Sequence, residues 1–304
     1  MDPLSDVIAL LRPHALVWKP ITGRGAWGVR YAAYDQPGFG IVLDGTCWLA
    51  LEDGPPVRLD AGDFVLLPAA PAFTLRSESG ASVAEGRPSA EAVRHGDPGG
   101  EPDVRMLGGT FRIEAVNAAL LVALLPRMIH VRAAGGGTRR LAGIVDLIRD
   151  ECGEDRPGHD MILERLLEVL LVEALRGDGA LAAVPGGLLA GLCDPGLSAA
   201  LRAMHGAVRT GWTVADLAAR AGMSRSAFAA RFTAIVGCAP MEYLARWRMA
   251  LARDALSRGG ISLDRIAEEV GYESASAFST AFRRRVGSAP GSFARSQRGL
   301  RSAA

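Results

Sequence analysis

Six arginines in the last third of the chain carry the chemistry most easily read from residue type: Arg225, Arg246, Arg248, Arg283, Arg284 and Arg285. A guanidinium is a rigid fork of donors matched to phosphate oxygens, so each is a candidate phosphate contact, with a solvated surface position as the alternative. Arg248 and Arg253 have a further alternative, pairing with acids such as Glu242 or Asp254. Among them stand the small residues Ser226, Ala229, Ala230, Ser276, Ser279 and Thr280. Ser and Thr hydroxyls can bond either sort of base edge, and Ala and Thr methyls can touch the thymine methyl. Side chains this short leave much of any discrimination to duplex shape.

A repeated unit places these residues. TVADLAARAGMSRSAFAARFTAIVGCAP, from Thr213 to Pro240, returns as SLDRIAEEVGYESASAFSTAFRRRVGSAP, from Ser262 to Pro290. The offset is 49 before the turn (Ala218 and Gly222 against Ala267 and Gly271) and 50 after it (Phe228, Phe232 and Pro240 against Phe278, Phe282 and Pro290). Each copy reads as a short helix, a glycine turn and a second helix. Gly222 and Gly271 suit the left-handed position past a helix end, and Ser224 and Ser274 suit the N-cap of the next. On the first copy's second helix Phe228, Phe232 and Ile235 form one buried stripe, which turns Ser226, Ala229 and Ala230 outward. The same arithmetic exposes Ser276, Ser279, Thr280 and Arg283 in the second. Such helix pairs are a DNA-reading motif, and two in register carry far more weight than one.

Charge agrees. From Ala199 onward there are 16 Arg, no Lys and 7 acids, a net +9, whereas the remainder holds 18 basic and 26 acidic residues, a net −8. A basic domain joined to an acidic one is the footprint of a polyanion binder with a second module.

These motifs resemble the AraC-type transcriptional regulators, through AGMSRSAF, APMEYLARWRM and VGYESASAFSTAFRRRVGSAP. The resemblance implies two helix-turn-helices joined by a long helix, here Met241 to Ser257. The family often closes on Pro-x-x-aromatic-Arg; here Pro290 and Phe293 are followed by Ala294, with Arg295 one place late. A regulator of this kind implies double-stranded DNA as partner, a homodimer, a small-molecule effector, and RNA polymerase if it activates.

Between Val17 and Leu75 short β-like runs alternate with turns: VRYAAY, FGIVL, TCWLALE, VRLD, DFVLLP and FTLRS, separated by Pro37-Gly38, Asp44-Gly45, Asp53-Gly54 and Gly62-Asp63. That spacing indicates an antiparallel barrel or sandwich. LDGTCWLALEDGPPVRLDAGDFVLLP resembles a cupin, and more narrowly the cupin-type sensor domain found in front of some AraC-type regulators. Enzymatic cupins hold a metal on histidines and a carboxylate. Here Gly40 and Phe73 stand where the resemblance would place His, Ala69 and Ala70 replace an Arg-Gly pair, and Gly62 and Pro68 are what survives of the second motif. The five His (His14, His95, His130, His159, His205) are scattered. No metal, no cofactor and no catalytic residue is therefore expected, and no ligand-binding residue is assigned.

Ser79 to Asp103 is rich in Gly, Pro, Ser and charge, and is expected to be a mobile excursion. Strand character returns at Val104 to Ile113, followed by helices at Ala118 to Leu125, Thr138 to Asp150 and Asp160 to Arg176. The last is apolar over most of its circumference, so it packs on the barrel and either meets a second subunit or is wholly core. Met1 to Leu11 reads as a short helix, acidic at its start and unlike a signal peptide, and no run is long enough to span a membrane. The four cysteines lack metal spacing and fit a reducing cytoplasm; Cys47 is either a redox sensor or a buried thiol, and lacks an adjoining base to activate it.

The expected fold is α+β in two domains: a cupin-like antiparallel β-barrel with accessory helices over 1–180, a linker over 181–198, and an all-α domain with two helix-turn-helices over 199–304. Three functions remain: a regulator with a sensor domain, a regulator whose first domain only dimerises or binds a protein, and a cupin enzyme fused to a DNA-binding domain.

Overall fold

A computed structural model of the chain describes residues 3–12, 14–34, 36–78, 81–86, 91–113, 125–133, 139–153, 156–176 and 187–302. It divides into two compact units, one built on strands and one on helices. All but the last residue of the helix expected at 118–125, and residues 177–186 after the long helix, lie outside the described residues.

The strand unit runs β1 (His14–Arg24), β2 (Gly28–Tyr31), β3 (Gly38–Asp44), β4 (Thr46–Leu51), β5 (Val57–Asp60), β6 (Phe64–Leu67), β7 (Phe73–Arg76), β8 (Ala84–Glu85), β9 (Val93–Gly96), β10 (Val104–Arg112) and β11 (Ile129–Val131). They form two sheets, ordered β11-β6-β3-β10-β1-β9 and β5-β4-β7-β2-β8. Alternation decides which side chains face inward: Ile21, Val42, Val65 and Met106 of the first sheet pack against Val29, Cys47, Leu49 and Leu75 of the second. Among the described residues the two sheets do not join into one hydrogen-bonded cylinder. Asp44-Gly45, read from sequence as a separator between two strands, is the corner where the chain passes from one sheet to the other.

The excursion at 79–103 needs correction. It contributes β9, parallel to β1, and β8, parallel to β2. Both strands are too short to show periodicity. Local bonds shape the rest: Arg94 donates to the carbonyls of Asp97, Gly99 and Gly100 at 2.8–2.9 Å, and His95 stacks on Trp27 with centroids 5.2 Å apart.

Helices α2 (Arg139–Gly153) and α3 (His159–Arg176) complete this unit. Arg149 of α2 donates to the Leu43 carbonyl from Nε and Nη2 at 3.2 and 3.0 Å. On α3, Leu163, Leu167, Leu170 and Ala174 are buried while Met161, Ile162 and Val169 are exposed. One face packs, as expected, and the other is open. Cys47 is fully buried; burial pushes its thiol pKa up to about 12, with Asp60 and Asp63 adding to the shift, so little thiolate forms.

The helical unit contains α4 (Leu188–Cys193), α5 (Pro195–Gly206), α6 (Val214–Arg220), α7 (Arg225–Val236), α8 (Pro240–Arg258), α9 (Leu263–Glu269), α10 (Ala275–Val286) and α11 (Pro290–Ser302). The linker expected at 181–198 therefore overlaps α4 and the start of α5. The unit also contains α1 (Pro3–Leu11), which the sequence had placed with the strands. Leu4, Val7, Leu10 and Leu11 are buried where α1 meets α5 and α8. Polar ties orient it: His205 Nδ1 lies 3.2 Å from an Asp6 carboxylate oxygen, and Arg12 pairs with the buried Asp254 at 3.1 Å. No helix among the described residues is long and apolar enough to cross a membrane.

Asp194 is the N-cap of α5, accepting from Gly196 N and Leu197 N at 3.1 and 3.0 Å and from Arg231 Nε and Nη2 at 2.8 and 2.5 Å. Burial works to raise its pKa, but the bond from Leu197 N, the Arg231 guanidinium and the bond from Gly196 N outweigh it and hold it below the usual range. Its contribution is therefore present above about pH 4, the ordinary aspartate value, and fades as the pH falls through the lowered pKa. Asp194→Ala should cost about 1–2 kcal/mol at neutral pH, mostly from the cap, since Arg231 is half exposed and solvent screens it. Denaturant titrations at pH 7 and pH 3 should show the wild-type advantage shrinking with acid; an equal gap at both would refute the assignment.

Candidate nucleic-acid interface

The two motifs are α6–α7 and α9–α10. Thr213 and Asp216 form a capping box at the start of α6. The N-caps expected at Ser224 and Ser274 are present, each hydroxyl accepting from the backbone N–H three residues on, Ala227 and Ala277, at 3.3 and 3.1 Å. Gly222 and Gly271 have φ of 66° and 77°. The extra residue in the second turn, Glu273, is exposed and leaves the cap unchanged.

Behind the outward faces lie aromatic contacts. Phe228 and Phe232 have centroids 5.6 Å apart, with Tyr243 of α8 edge-on to Phe232 at 5.8 Å. In the second motif Phe278 and Phe282 are 5.5 Å apart, with Phe293 of α11 edge-on to Phe282. The α7 stripe closes on Val236 rather than Ile235, which is only half-buried. One helix serves both motifs: α8 turns Tyr243 to the first, and Met249, Ala252 and Leu256 to the second.

The two turn glycines are equivalent in sequence but differ in surroundings. A Cβ on Gly222 meets nothing within 4 Å, whereas one on Gly271 would lie 2.7 Å from Arg248 Nη2 and 2.9 Å from the Arg209 carbonyl oxygen. Gly222→Ala should cost about 1–2 kcal/mol, the penalty of left-handed backbone. Gly271→Ala should cost at least about twice that, because backbone itself must move. Equal shifts in thermal midpoint would show that the second turn relaxes freely.

Of the residues expected to face bases, Ser226, Ala230, Ser276 and Thr280 are exposed, while Ala229 and Ser279 are half-buried. Thr280 Oγ1 donates back to the Ser276 carbonyl at 3.1 Å, so the hydroxyl presents its lone pairs, and the residue its methyl, to an incoming group. Arg225, Arg283 and Arg284 are exposed, and among the described residues none has an acid partner.

Three of the six candidate phosphate contacts, Arg246, Arg248 and Arg285, are otherwise engaged. Arg248 donates from Nε and Nη2 to the Val208 carbonyl at 3.1 and 2.8 Å, and from Nη2 to the Thr210 carbonyl at 2.8 Å. It also lies over the Tyr272 ring, and burial lowers its pKa. It is an internal clamp. Arg285 Nη1 bonds Glu242 at 2.9 Å, and the same carboxylate accepts from Arg246 at 3.0 Å, tying α10 to α8. Arg253 lies over Phe293 and has no acid partner among the described residues; Asp254 instead takes Arg258 at 2.6 Å and Arg12.

A second site was not read from sequence: a cavity of about 540 Å³ between the two sheets. Gly40 and Phe73, the positions where a metal-binding cupin would carry His, both line it, as does Lys19. Among the described residues no three His, Cys, Asp or Glu come together as a metal set. The signal available was register: Lys19 and Ile21 share the inward face of β1.

Comparison with known proteins fits both units. A family model described as Cupin matches residues 2–177, and one described as Helix-turn-helix domain matches 217–296. The chain is 38% identical to a putative AraC-like transcription regulator of Streptomyces lividans, over 96% of this chain and 98% of that one. It is 36% identical to another from Streptomyces antibioticus, with the same coverage. A solved DNA-binding domain of the global transcriptional factor AdpA, in complex with a target DNA, is 33% identical over 36% of this chain and 97% of its own, with a TM-score of 0.34. The chain belongs to the AraC-like transcription regulators: it is a DNA-binding protein with a cupin-like N-terminal domain.

Proposed function

We propose that one subunit reads two adjacent major-groove segments, with α7 in one and α10 in the next, about 10 bp apart centre to centre on one face of the duplex. The observation that carries this reading is the pair of capped, outward-facing helices seated on a single helix, α8. Ser226, Ala229, Ala230, Ser276, Ser279 and Thr280 face bases, while Arg225, Arg283 and Arg284 meet phosphates. Footprinting of the purified protein on its upstream region tests it: protection of two groove segments per subunit is expected, and protection of one short segment would refute it.

The cupin-like domain acts as a sensor rather than an enzyme, with its effector in the cavity between the sheets. The regulator works in the cytoplasm as a homodimer, meeting RNA polymerase if it activates. The exposed Met161, Ile162 and Val169 of α3 favour self-association through that helix.

A further inference from the structure

We infer that the cavity between the sheets takes a monoanionic, otherwise apolar ligand whose carboxylate sits on the Lys19 ammonium; this rests on the reading that the cavity holds an effector. The walls are aliphatic and aromatic, with Leu49, Val65, Leu67, Leu75, Phe73 and Met106 among them, and no carboxylate of the described residues lines them. Three glycines, Gly38, Gly40 and, opposite Gly40, Gly108, keep the floor of the first sheet low. Tyr31, Tyr34, Gln36 and Thr110 supply neutral hydrogen-bonding groups.

Lys19 is the exception in this lining. It is 8% exposed, and among the described residues it has neither an ion pair nor a hydrogen bond. Burial lowers its pKa, and His95 is lowered in turn by burial and by the charge of Lys19. An ammonium left in an apolar chamber without a counter-ion is unfavourable. A ligand that brings the missing negative charge, with tyrosine hydroxyls at hand for its free lone pairs, removes that cost. An apolar body fills the rest, and the volume suits roughly 10–20 heavy atoms. A neutral ligand would leave Lys19 unpaired, and a cationic one would repel it.

The test compares decanoate with decan-1-ol, and 2-naphthoate with 2-naphthalenemethanol, by isothermal titration on the full chain and on Lys19→Met. The acids should bind wild type at least tenfold tighter than the alcohols, the range of a hydrogen bond to a charged group. Lys19→Met should abolish that preference and leave the alcohols unchanged or tighter. Its ligand-free thermal midpoint should match or exceed that of wild type. Lys19→Gln is the second variant, and if neither folds, the wild-type acid-to-alcohol ratio decides alone. Acids and alcohols binding wild type equally would overturn the anionic class while leaving the cavity an effector site. No binding by either would overturn the effector reading itself. Binding of decanal in place of decanoate, trapped on Lys19 by borohydride, would make Lys19 an imine-forming amine and overturn the proposal.

Discussion

Phe282→Ala should destabilise the helical unit by about 3–5 kcal/mol, the cost of emptying a fully buried aromatic site. Phe282 has no exposed surface and is wedged between Phe278 and Phe293 at 5.5 Å on either side. The surrounding cluster draws on α8, α9, α10 and α11 through Leu256, Ile266, Phe278 and Phe293. Four elements cannot all collapse on one void, so the upper part of that range is expected. Denaturant unfolding followed by far-UV circular dichroism should show the helix-weighted transition moving to lower denaturant. A chain with two compact units can unfold in two steps, in which case the strand-weighted step should stay in place. A shift below about 1 kcal/mol would mean that this core is loosely packed.

Replacing Arg283 and Arg284 together with Ala should weaken binding to operator and random DNA alike, by roughly 30-fold at 0.15 M salt. That figure follows from a slope of about 0.9 per phosphate contact, taken from 1 M to 0.15 M salt. The log–log salt slope should become shallower by about two. Thr280→Ala should behave differently: about 1–3 kcal/mol lost on the operator, with the slope unchanged and random binding little affected. Because the arginines also sit in the last turn of α10, where a cation favours the helix dipole, the thermal midpoint serves as the control. If Thr280→Ala flattens the slope as much as the arginine pair, α10 lies rotated from its assigned face.

How far these features could be read from sequence follows from how local they are. The caps at Ser224 and Ser274, the glycine turns and the buried Phe pairs are decided within a few residues, and they repeat, so each copy checks the other. Ile235 was a near miss: positions seven and eight on from Phe228 flank the same stripe, and packing against neighbouring helices selects Val236. Arg248 could not be read, because only the tertiary fold brings the carbonyls of Val208 and Thr210 to it. The pairs chosen by Glu242 and Asp254 are likewise tertiary, with Arg285 and Arg12 arriving from distant segments. The cavity needed β1, β3 and β10, far apart in sequence, to be laid side by side before Lys19 and the glycines could be seen together. Ser79 to Asp103 hid two strands because composition reports hydrophobic burial, and these strands are held by backbone pairing instead.

The docking of α1 has a consequence for how the protein is made. Arg12 and Asp254 lie 242 residues apart, so at about 5–20 residues per second the first helix waits roughly 12–50 s for its partner to leave the ribosome. Until α5 and then α8 have emerged, Leu4, Val7, Leu10 and Leu11 lack their cover, and a nascent chain in that state is open to chaperones and to its neighbours on the polysome. A fragment begun at residue 199 would lack α1, α4 and the first turn of α5, leaving bare the part of α8 that α1 covers. Poor solubility or weak binding in such a fragment would report on that missing helix, and not on the loss of the strand unit.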